Sequence, residues 1–107
     1  MAIGQWGTEH SEKPSTTGNL SASTAKTYTL TAASKKVWVW CHPSVSDYLY
    51  VKFNADSATD LTTTDWEGVI TGGQMVIAPS GLLVESVTLL SASALTLGTD
   101  FQIRGWA

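Results

Sequence analysis

The chain has 107 residues and a formal net charge of −3, a length that fits one domain with a thin margin of buried surface. Its six Lys and Arg residues are scattered and form no basic stripe, which argues against direct binding of nucleic acid. A single cysteine excludes an intrachain disulfide, and no apolar run approaches the roughly 20 residues of a membrane-spanning helix.

Charged residues make up only 14%, against about 25% in an ordinary soluble domain. Thr, Ser, Gly and Ala take their place, which suits a β-rich body with a neutral, hydroxyl-covered surface. Residues 1–25 read as an N-terminal arm: MAIGQWGTEHSEKPSTTGNLSASTA holds Gly, Pro, Ser and Thr punctuation and no sustained period. No basic region precedes an apolar run there, so no secretory signal is expected. Such an arm frays unless tied down, and Ile3 and Trp6 are its candidate anchors. It packs either along its own domain or on a neighbouring chain.

From Lys26 to the end, residues 26–107, the period is close to two. KTYTLTA sets Tyr28, Leu30 and Ala32 against three threonines, the pattern of a half-buried strand. VWVWC (37–41) and DYLYVKFN (47–54) are the next strands. NADSATDLTTTD (54–65) is a polar loop, WEGVI (66–70) a short strand, TGG (71–73) a hairpin turn, QMVIAP (74–79) another strand. LLVESVTLLS (82–91) has some helical spacing, but its Val and Thr content favours a strand. DFQIRGW (100–106) closes the chain, and Trp106 reads as core or as a further anchor. Strands at spacings near ten residues indicate an all-β, antiparallel β-sandwich of jelly-roll type with an extended N-terminal arm.

Residues 35–53 raise the main question, because both faces of a strand there are apolar. If 35–41 and 47–54 form a hairpin across HPSVSD, then Val37, Val39 and Cys41 share one face with Leu49, Val51 and Phe53. Trp38, Trp40, Tyr48 and Tyr50 are left together on the other. Cross-strand aromatic pairs contribute only about 0.2–1 kcal/mol each, too little to hold four such rings in water. The arm covers them, or a partner does, since Trp and Tyr are enriched in interface cores. The candidate interface residues are therefore Ile3, Trp6, Trp38, Trp40, Tyr48 and Tyr50.

Catalytic chemistry is not evident. Cys41 and His42 are adjacent, and adjacent strand residues point to opposite faces, so they make a poor dyad. Cys41 reads as a small buried residue and His42, before Pro43, as a turn residue. Asn54, Asp56, Asp60 and Asp65 lack EF-hand spacing and suit turn capping instead. Asp47 and Glu67 are single carboxylates. No enzyme, cofactor or metal site is expected. Aromatic rings on a sandwich can also stack on sugars, so a carbohydrate- or receptor-binding module is the alternative.

The segments DYLYVKFNADSATD, TGGQMVIAPSG and VESVTLLSASALTLGTDFQIRGWA, about half the chain, resemble small β-rich virion proteins of tailed bacteriophages, above all capsid decoration or cement proteins. The resemblance implies a non-enzymatic structural protein of the virion, assembled in the host cytoplasm. Such a subunit bridges copies of the major capsid protein, often as a trimer of itself, without nucleic acid or membrane as a partner. A small tail or baseplate component is the related alternative. No site residue is carried over from the resemblance.

Overall fold

The computed structural model describes residues 11–106. The strands are β1 (Ser11–Glu12), β2 (Lys26–Ser34), β3 (Lys36–Cys41), β4 (Leu49–Phe53), β5 (Gly68–Ile70), β6 (Met75–Ile77), β7 (Val84–Ser91) and β8 (Phe101–Trp106). They form two four-stranded sheets, ordered β1-β8-β3-β6 and β2-β7-β4-β5. Every pairing between strands is antiparallel. Helical structure among the described residues is a single 3-10 turn, Ala58–Asp60.

The alternation in the sequence becomes the inside and outside of a sandwich. Val37, Val39 and Cys41 of β3, with Phe101 and Ile103 of β8, face inward from the first sheet and are almost fully buried. Tyr28, Leu49, Val51, Val87 and Leu89 face them from the second, and the two sets form one core. The Tyr28 and Phe101 rings meet edge-on across it, 5.7 Å apart at 71°. Tyr28 keeps its hydroxyl satisfied by donating to the Gly18 carbonyl at 2.9 Å, as burial of a phenol requires. Burial also pushes the Tyr28 hydroxyl pKa up.

Strands β3 and β4 do not pair with each other, which overturns the expected hairpin. β3 lies between β8 and β6 in the first sheet, and β4 between β7 and β5 in the second. Residues 42–48 cross from one sheet to the other. The crossing begins with a tight turn, Val45 N–H donating to the His42 carbonyl at 3.0 Å, and buries Val45. The TGG turn is likewise no hairpin within a sheet: it carries the chain back from β5 to β6, alongside the first crossing. Thr71 Oγ1 donates to the Asp47 carbonyl at 3.2 Å. Gly72 sits so close that a Cβ would strike the Pro43 and Val45 carbonyl oxygens. Only glycine allows the two crossings to lie together.

Residues 13–20 pack along their own domain. Ser15 N–H donates to the Thr29 carbonyl and Thr31 N–H to that of Lys13, at 2.7 and 3.0 Å. β1, just before them, pairs with β8 of the other sheet. The segment thus spans one open side of the sandwich and covers sheet edges that would otherwise expose unpaired backbone. Leu20 is fully buried and exchanges two backbone hydrogen bonds with Leu95, each 2.9 Å. Ile3 and Trp6 lie outside the described residues.

Candidate functional site

The outer faces of the two sheets differ. On the second sheet, the loop 54–65 supplies cover. Asn54 turns the chain through φ +56°, a conformation Asn tolerates better than most residues. Its Oδ1 accepts from Glu85 N–H at 2.7 Å, and its Nδ2 donates to the Leu83 carbonyl at 2.8 Å. Ser57 and Asp60 form a capping box around the 3-10 turn. Lys52, on the outer side of β4, donates to the Asp60 carbonyl at 3.3 Å and pairs with Asp65 at 3.2 Å. Leu61 is held at 2% exposure, in a concavity shared with Leu90. Of the loop's carboxylates, Asp60 thus caps backbone and Asp65 pairs with lysine.

On the first sheet, no comparable loop lies over the outer face among the described residues. The register sets Trp38 between Ile77 and Arg104, and Trp40 between Met75 and Gln102. Trp106 stands opposite Lys36 at the end of the sheet. Met75 and Ile77 are 51% and 52% exposed, and the tryptophans are half-buried. These side chains line a shallow groove of about 510 Å³. The charged residues of β3, β6 and β8 are Lys36 and Arg104, and β1 adds Glu12 at the edge of the sheet. Over β3, β6 and β8 the face is apolar with a cationic border.

The four rings expected on one surface are therefore split. Trp38 and Trp40 lie on the outer face of the first sheet, Tyr48 and Tyr50 at that of the second. Trp66 joins the tyrosines: the Tyr48–Tyr50 and Tyr50–Trp66 ring centroids are each 6.4 Å apart, tilted by 57° and 47°. Met75, Ile77, Trp106 and Trp66 extend the candidate set. Met75 and Ile77 were legible as the out-of-phase apolar pair in QMVIAP, but only the pairing of β6 with β3 places them beside the tryptophans.

Cys41 is fully buried. Burial first, and then the negative charge of Asp100, hold its thiol pKa above the ordinary value, so the thiolate that a nucleophile needs is disfavoured. His42 is exposed and stands edge-on to Trp40, 5.7 Å away. Its Nδ1 accepts from Ser44 N–H at 3.0 Å, which closes the turn into the crossing. The two point apart. Glu67 accepts from Phe53 N–H at 2.7 Å and finishes β4. No group of three or more potential metal ligands occurs among the described residues. Comparison with family models, with curated proteins and with solved structures finds no match.

Proposed function

We propose that this chain is a structural virion protein, a capsid decoration or cement subunit that seats the outer face of its first sheet on neighbouring shell proteins. The observation that carries the proposal is the difference between the two outer faces. Among the described residues, loop 54–65 covers part of the second sheet, while the first sheet carries Trp38, Trp40, Met75 and Ile77 as one apolar surface. Contiguous apolar patches of this kind mark interaction sites, and tryptophan is prominent among residues that anchor them. Lys36 and Arg104 favour a partner surface bordered by carboxylates. They also disfavour two copies meeting face to face, since like charges would be opposed.

The strand order supports a jelly-roll reading of the sandwich. Strands pair first with last and so on inward, β1 with β8, β2 with β7, β3 with β6 and β4 with β5, as in a long hairpin rolled into two sheets. Viral capsid domains are among the proteins built this way, and so are lectins, so the fold by itself does not choose between functions. The surface does.

The test is co-sedimentation with DNA-free heads of the source phage, alongside mass spectrometry of purified virions. The expected result is fixed-stoichiometry binding that falls at least about tenfold, equivalent to about 1.4 kcal/mol, in the double variant Trp38→Ser/Ile77→Ser, with its thermal melt retained. Absence from virions, or head binding unaffected by that variant, would overturn the proposal.

A further inference from the structure

The opposite side of the sandwich carries a concavity that the proposed shell contact does not use. It measures about 210 Å³ and is lined by Ser23, Asp47, Tyr48, Tyr50, Thr63 and Leu90, among others. That volume suits a single sugar ring and is small for a peptide. Three features set it apart from an ordinary surface hollow.

One wall is aromatic. Tyr48, 60% exposed, and Tyr50 line it, and Trp66 packs against Tyr50 outside the lining. Rings with one exposed face offer apolar surface together with a polar tip. The other wall is polar and has spare capacity. Asp47 Oδ2 accepts from the Ser93 hydroxyl, which fixes the carboxylate. Its Oδ1, the Ser23 and Thr63 hydroxyls and the Tyr48 and Tyr50 phenols make no side-chain hydrogen bond among the described residues. Finally, Ser23 sits at φ +56°, with its N–H donating to the Ser91 carbonyl at 2.7 Å. A non-glycine residue held in the left-handed region costs conformational energy, and such positions concentrate at ligand sites.

The geometry points to a binding site for a neutral sugar. The apolar C–H face of a pyranose stacks on Tyr48 and Tyr50, and its hydroxyls donate to the free oxygen of Asp47 and exchange hydrogen bonds with Ser23 and Thr63. A few convergent polar groups beside aromatic surface are what a small-ligand site requires. No Lys or Arg lines the concavity, and Asp47 brings negative charge, so anionic sugars are disfavoured. Sugar stacking belongs to the tyrosines rather than to Trp38 and Trp40, because a carboxylate and hydroxyls stand beside the tyrosines. The site does not depend on the first sheet, so shell binding and sugar binding are separable.

The experiment is two-dimensional amide NMR of the whole chain, titrated with soluble neutral trisaccharides of glucose, galactose, mannose and N-acetylglucosamine, with sialyllactose as the anionic counterpart. At least one neutral sugar is expected to shift the amides of Asp47, Tyr48, Tyr50 and Thr63 with a millimolar Kd, and sialyllactose to bind more weakly. Tyr48→Ala and Asp47→Asn each weaken binding by about tenfold or more, the loss of one charged hydrogen bond or one stacked ring. The Tyr48 side chain is exposed, so that variant folds, and Leu83→Ser, a distant exposed site, leaves binding unchanged. No shift with any of the neutral sugars, binding retained in both site variants, or shifts mapping to β3 and β6 would each overturn the assignment.

Discussion

Cys41 shows how a single position is fixed by what surrounds it. It ends β3 pointing into the core, and both its backbone polar groups are held: Gly73 N–H donates to its carbonyl at 2.8 Å and its own N–H to the Gln74 carbonyl at 3.0 Å. The side chain has no freedom to turn outward. Its raised thiol pKa has a consequence for stability. In the unfolded chain the thiol ionises near about 8.5; in the fold, burial and Asp100 keep it protonated to higher pH. The folded state therefore binds more protons than the unfolded state above that value. The Cys41 contribution is complete below about pH 8.5 and is lost as pH rises through the folded-state pKa. Urea unfolding of the native chain and of Cys41→Ala at pH 7.5 and pH 9.5 checks this. The native chain loses more stability between the two than the variant does, and equal losses would contradict the assignment.

At the scale of elements, the decisive pieces lie outside the regular strands. Loop 54–65 covers the second sheet through Leu61 and is tied down by Lys52, Asp60 and Asp65. The ion pair itself is worth little at such exposure; the apolar contact is the larger effect. Leu61→Ala removes a nearly buried side chain and costs about 2–3 kcal/mol, read from chemical denaturation. Lys52→Met keeps the stem and loses the pair, and changes stability by under about 1 kcal/mol. A reversed order of the two would mean that charge holds the loop. Residues 13–20 act in the same way on the side of the sandwich. Leu20 is as buried as any strand residue, so a chain beginning at residue 21 loses a core side chain and two backbone hydrogen bonds.

The molecule as a whole is organised by pairings between distant parts of the chain. β1 pairs with β8 and β2 with β7, so the sheets cannot be completed until the last strand is present. Folds dominated by such non-local pairing fold slowly. Refolding from urea, followed by tryptophan fluorescence in stopped flow, is expected in the millisecond-to-second range; a microsecond phase carrying the full amplitude would contradict it. The same architecture gives the body two different faces. One outer surface presents tryptophan, methionine and isoleucine bordered by cations, the other tyrosines around a carboxylate. The proposed shell contact and the proposed sugar site use these two faces separately.

Much of the fold is written locally. The alternation of Tyr28 and Leu30 with threonines, of Val37, Val39 and Cys41 with Trp38 and Trp40, and of Phe101 and Ile103 with Gln102 and Arg104 fixes strands and their buried sides, because side chains alternate across a pleat whatever the partner. The burial of Cys41 and the turn role of His42 follow from the same rule. Strand partners are not written locally. Two adjacent strands joined by HPSVSD form a hairpin or cross between sheets with the same alternation, and the choice rests on contacts remote in sequence. Gly72 packing on the Pro43 and Val45 carbonyls is one, and β6 and β8 claiming both edges of β3 is another. That choice separated Trp38 and Trp40 from Tyr48 and Tyr50, and brought Met75, Ile77 and Trp66 into the candidate sites. Sequence determined which residues each strand shows to solvent; tertiary structure decided which strands stand side by side, since pairing energy is gained only between chain segments that folding has already brought together.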